Sequence, residues 1–69
     1  MKYADYLRKK RIEKGYTQEQ VAEIVGVTRE AISKWETKKA RPSYEVLREL
    51  FSLYCFSYKE ILEFFELSL

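Results

Sequence analysis

Apolar residues recur along this chain at helical spacing, in blocks separated by short polar breaks, and no stretch alternates for long enough to suggest a strand. The first block predicts a helix from about Lys2 to Lys14, stopped by Gly15, which can turn left-handed after a helix. Thr17-Gln18-Glu19-Gln20 is a capping box: the Thr17 hydroxyl takes a free backbone N–H while Gln20 reaches back. The helix it starts runs to about Val25. Val21 and Val25 share one face with Ala22 and Ile24 beside them, Gln18, Glu19 and Glu23 lie outside, and Gly26 ends it.

Thr28 caps a third helix, with Val27 placed to pack on Ile32 as a hydrophobic staple. Ala31, Ile32 and Trp35 face inward, which leaves Arg29, Glu30, Ser33, Lys34 and Thr37 on the outer arc. A basic connection, Lys38-Lys39-Ala40-Arg41-Pro42, leads to Ser43, the cap of a fourth helix over about Tyr44 to Cys55 with the stripe Leu47, Leu50, Phe51 and Tyr54. Ser57-Tyr58-Lys59-Glu60 forms a second capping box with Phe56 and Ile61 as its staple, and the last helix carries Ile61, Leu62, Phe64 and Phe65. The expected fold is an all-α, compact five-helix domain over residues 1–69, with helices 2 and 3 closely coupled across Gly26.

Composition narrows the function. With no histidine and one cysteine, Cys55, the chain has no internal disulfide and too few N/S ligands for zinc, so no metal or cofactor is expected. No glycine-rich phosphate loop or nucleophile–base pair indicates an enzyme. The absence of a long apolar run and the charged start, MKYADYLRKKR, argue for a cytoplasmic protein with no membrane partner. Charge is divided: residues 1–41 carry 11 Lys/Arg against 6 Asp/Glu, and residues 42–69 carry 2 against 5. A basic half joined to an acidic, aromatic half suggests a surface for a polyanion and another for a different partner; chance patterning on a solvated surface is the alternative.

The stretch TQEQVAEIVGVTREAISKWE, Thr17 to Glu36, resembles the helix-turn-helix of the phage repressor and Cro-like regulators, the xenobiotic-response-element group. The resemblance rests on Gln18 opening helix 2, small Ala22, Gly26 in the turn, apolar Val21, Val27, Ile32 and Trp35, and the run ISKWE; it extends over about Tyr6 to Leu62. It implies a lambda-repressor-like fold and a regulator that reads double-stranded DNA with helix 3 in the major groove. Transferred onto this chain, it makes Arg29, Glu30, Ser33 and Lys34 the base readers, the residues that the helical wheel places outward. Arg and Lys suit the acceptors of guanine, and Glu can accept from the cytosine amino group; alternatively, Glu30 serves only the helix N-terminus or orients Arg29. Thr17, Gln18, Thr28, Lys38, Lys39 and Arg41 are the expected phosphate contacts, although the lysine pair also fits an ordinary solvated loop. The resemblance further implies a structural ion pair between Arg11 and Glu36. One departure stands out. Lys38 occupies a position where relatives commonly have glycine, so either Lys38 is strained or the loop takes another path.

Seven aromatics lie in residues 42–69, more than a domain this small easily covers. Residues 43–69 are therefore the expected dimerisation half, with Phe56, Phe64, Phe65 and Leu67 at the interface. A homodimer would set two recognition helices about 34 Å apart on a palindromic operator and act by occupying it, as a repressor. Two rivals remain: an antitoxin whose aromatic half holds a protein partner, and a protein-interaction module of the same fold without DNA binding. The apolar ending favours a natural full length over a fragment of a longer regulator.

Overall fold

The computed structural model describes residues 3–67, and the described residues form five helices and no strand. They are α1 (Tyr3–Glu13), α2 (Gln18–Val25), α3 (Arg29–Glu36), α4 (Tyr44–Leu53) and α5 (Tyr58–Leu67). The expected start at Lys2 and the final Leu69 lie outside the described residues. α3 packs on both α2 and α1, α1 also meets α5, and α2 meets α4. Leu7, Val21, Ala22, Ile32, Trp35, Leu50, Phe51, Tyr54 and Phe64 form the shared core.

Local chemistry sets the helix starts. Thr17 accepts from the Gln20 amide at 3.1 Å, and the Gln20 side chain accepts from the Thr17 amide at 2.9 Å, completing the capping box. Thr28 and Ser43 cap α3 and α4 by accepting from Ala31 and Val46. Ser57 and Glu60 form the second reciprocal box, at 2.8 and 3.1 Å.

The helix ends share one device. After α1, α2, α3 and α4, a residue with positive φ turns the chain so that the next amide bonds back to a carbonyl in the last helical turn: Tyr16 to Arg11, Val27 to Ala22, Lys39 to Lys34, and Phe56 to Phe51. Glycine fills that position at Gly15 and Gly26, but Lys38 (φ 66°) and Cys55 (φ 54°) fill the other two. Lys38 thus takes the left-handed conformation in place of glycine and carries its strain. α4 is shorter than expected for the same reason: it stops at Leu53, with Tyr54 as its cap and Cys55 beyond it. No glycine marks that stop in the sequence.

Three apolar positions differ from expectation. Ile24 flanks the α2 stripe yet is 58% exposed, while Leu62 on α5, to which the sequence assigns no side, is 51% exposed. Phe64, expected at a dimer interface, is only 2% exposed. Its ring lies edge-on to Phe51 (5.3 Å between centroids) and to Tyr3 (6.0 Å), so it belongs to the core and has no surface to offer a partner. Phe56 also turns inward, half-buried against Phe51, Tyr6 and the Lys10 ammonium.

Candidate nucleic-acid interface

α3 has two opposed faces. Ile32, Trp35 and Glu36 are buried, Ala31 and Ser33 are half-buried, and Arg29, Glu30 and Lys34 are exposed. No ion pair among the described residues engages Arg29, Glu30 or Lys34, so all three charged heads are available. Thr37, on the outer arc in sequence, instead closes the helix: its hydroxyl donates to the Ser33 carbonyl at 2.8 Å. The Lys34 carbonyl accepts the amides of Thr37, Lys39 and Ala40, which folds the Lys38-Lys39 loop back over the end of α3.

Around this helix the expected phosphate contacts divide. Thr17, Thr28, Lys38 and Lys39 are exposed. Each threonine spends an oxygen lone pair on its cap and keeps its O–H to donate. Arg41 is placed differently: its guanidinium lies 4.8 Å from the Tyr3 ring, in a shallow cleft also lined by Phe64 and Phe65, on the α1–α5 side. Gln18 is half-buried and already engaged, its amide nitrogen donating to Glu36 Oε1 at 3.1 Å.

Glu36 sits at the centre of a buried polar network. Arg11 Nε and Nη2 donate to its two oxygens at 2.7 and 3.0 Å, and Arg11 Nη1 donates to the Tyr16 carbonyl at 2.8 Å. The hydrogen bonds to Glu36 hold the Arg11 guanidinium above its ordinary pKa against the cost of burial. Tyr54 lies close by; burial, reinforced by the Glu36 charge, pushes its hydroxyl well above the usual phenol range. This is the pairing that the sequence resemblance implies, and it locks α1 to the last turn of α3.

A second charged link escaped the sequence reading. Lys10 is buried beside Phe56, and its ammonium bonds to Glu60, the same carboxylate that completes the α5 capping box. The hydrogen bond from Lys10, with the Ser57 amide, pulls the Glu60 carboxyl down to about 2. The capping box is visible in sequence; the approach of a residue fifty positions away is not.

A motif of two helices about Gly26, with an exposed polar helix fixed from beneath by an ion pair, matches the helix-turn-helix family model over residues 7–54. The chain belongs to the helix-turn-helix family. Two curated relatives support the assignment. A prophage-derived HTH-type transcriptional regulator of Bacillus subtilis, YonR, is 38% identical over 48 residues, covering 70% of this chain and 44% of its own. The HTH-type transcriptional activator BcrR of Enterococcus faecalis is 39% identical over 62 residues, covering 90% of this chain and 30% of its own. The chain thus spans less than half the length of these relatives. No solved structure matches it significantly. Among the described residues, no helix is long and apolar enough to cross a membrane.

Proposed function

We propose that this helix-turn-helix chain is a sequence-specific, double-stranded DNA-binding transcriptional regulator that lays α3 in the major groove. The observation that carries this reading is the free polar face of α3: Arg29, Glu30 and Lys34 stand exposed without ion-pair partners on a helix whose opposite face is buried in the core. Arg29 and Lys34 read guanine acceptors, Glu30 accepts from cytosine, and half-buried Ser33 contributes a smaller contact. Thr17, Gln18, Thr28, Lys38 and Lys39 hold phosphates and set the register. Arg41, drawn onto Tyr3, is the weakest member of that group.

The regulator acts as a homodimer on a palindromic site, and α5 supplies the contact. Tyr58 (80% exposed), Leu62 and Phe65 (41%) recur at i, i+4 and i+7 as an exposed apolar stripe, Phe65 with one side of its ring packed on Phe51 and Phe64. Lys59 and Glu66 border one edge of it. In an antiparallel pair of α5 helices centred on Leu62, like edges meet, so each Lys59 faces the other copy's Glu66. Occupying an operator in this way blocks transcription, making repression the expected direction. The relative named as an activator shows that the opposite outcome also occurs within the family.

Selection from a random duplex pool at about physiological salt, where non-specific phosphate binding is weak, tests this. An enriched palindrome with half-sites about 10 bp apart is expected, its preferences relaxed by Arg29→Ala or Lys34→Ala. An unenriched pool would remove sequence-specific regulation and leave a protein-interaction module. Enrichment by a monomer that copurifies with a different protein on its α5 face would favour the antitoxin reading.

A further inference from the structure

We infer that Glu36 is a positioning residue for the interface: its buried carboxylate clamps the Gln18 amide so that Gln18 presents one N–H inward and the other to a DNA phosphate. The inference rests on the DNA-binding reading above. Its geometry does not.

Glu36 is almost fully buried and both its oxygens are engaged, Oε2 by Arg11 Nε and Oε1 by Arg11 Nη2 and Gln18 Nε2. A carboxylate has only acceptors, so the Gln18 group facing it must be the NH₂. That removes the two-fold ambiguity of a free glutamine. One hydrogen of the NH₂ is spent on Glu36, and the second is left to donate from the first residue of α2, beside the end of α3. Because Arg11 neutralises Glu36, an approaching phosphate meets a neutral amide instead of an exposed carboxylate. The network thereby joins the α1–α3 ion pair to the DNA backbone through one side chain, and it fixes the phosphate position relative to the base-reading helix. Preorganising a donor this way spares the cost of freezing a long side chain at binding.

The test combines Gln18→Met with Arg11→Met/Glu36→Leu, the apolar replacement of the clamp, on whichever duplex the wild type selects. Gln18→Met in the wild-type background should weaken binding about tenfold, the scale of a hydrogen bond to a charged group. The loss should fall equally on all sequences and leave the slope of log affinity against log salt unchanged, because a neutral amide displaces no counterion. A merely structural role that shifted α2 against α3 would also erode base discrimination. With the clamp replaced, Gln18→Met should add little. Equal losses in both backgrounds would overturn the inference, because Gln18 would then act independently of Glu36.

A DNA-free measurement covers the case in which the apolar variant fails to fold. In the wild-type protein, one Gln18 side-chain amide proton should exchange with water more slowly than the other. Equal, fast exchange of both would overturn the clamp. A wild type that selects no duplex defeats the DNA-binding reading, whereas a wild type that binds DNA and is indifferent to Gln18 defeats only this inference.

Discussion

Arg11 and Glu36 meet side-on, through two hydrogen bonds of 2.7 and 3.0 Å, across the boundary between α1 and the end of α3. Both side chains are buried, so each charge tolerates its position only because of the other. Arg11→Met alone, or Glu36→Leu alone, should cost about 3–5 kcal/mol by leaving an unpaired buried charge. The double apolar variant should lie closer to wild type than either single, although the Tyr16 carbonyl and the Gln18 amide each lose a partner. Urea unfolding of the four proteins measures this; a double variant as unstable as the sum of the singles would refute it.

The left-handed caps give a second expectation, of opposite sign. Lys38→Gly and Cys55→Gly should each raise stability by about 1 kcal/mol, because glycine adopts positive φ without steric conflict. Gly26→Ala should lower it by about the same amount. A methyl group built on Gly26 meets no atom within 4 Å, so backbone strain alone sets that cost. Lys38→Gly should also weaken DNA binding while stabilising the fold, since it deletes a lysine proposed to hold a phosphate. A denaturation midpoint that falls on Lys38→Gly would show that the lysine side chain contributes more to the fold than its backbone strain costs.

The helix starts were legible in the sequence because each is decided within a few residues. The boxes Thr17–Gln20 and Ser57–Glu60 form as the spacing requires. The end of α4 was not legible, since Cys55 takes a left-handed conformation that its residue type disfavours. The same limit applies to the candidate site. The wheel identified the exposed heads of Arg29, Glu30 and Lys34, because α3 is amphipathic in itself. It could not show that Gln18 turns to Glu36, that Arg41 rests on Tyr3, or that Phe64 is core while Leu62 is surface. Those outcomes depend on which helices meet. The apolar arc of α5 is wide, running from Leu67 through Phe64, Ile61 and Phe65 to Leu62 opposite Lys59, Glu63 and Glu66, so periodicity alone could not choose which part of it is buried.

Glu60 makes the fold acid-sensitive. Its carboxyl ionises near 2 in the folded chain, below the ordinary value of about 4.3 for the unfolded chain. A depressed folded value contributes stability that is complete above the unfolded value and is lost as pH falls through the folded one. Stability should therefore decline between about pH 4.5 and 2, by on the order of 1–2 kcal/mol after allowance for the partial exposure of Glu60. Glu60→Gln, which can still close the capping box, should be less stable at neutral pH and show a flatter decline. Urea midpoints across that range give the answer; an unchanged slope in the variant would assign the acid sensitivity to other carboxylates.

The α5 stripe makes the final expectation specific to a pair of residues. If antiparallel α5 helices meet at Leu62, then Leu62→Glu should place two carboxylates at the centre of the contact and yield a folded monomer by sedimentation. It should leave the core intact, since Leu62 is half exposed and Phe64 carries the burial. Lys59→Glu alone should weaken the dimer by setting it against Glu66, as should Glu66→Lys by setting it against Lys59. Combining the two reverses both charges, restores the opposite-sign pairing on both sides of the two-fold axis, and should recover the dimer. Recovery separates this geometry from any dimer held elsewhere on the surface, because no other arrangement requires those two side chains to face one another. Dimerisation that ignores both single charge changes would move the interface away from α5, and with it the predicted spacing of the half-sites.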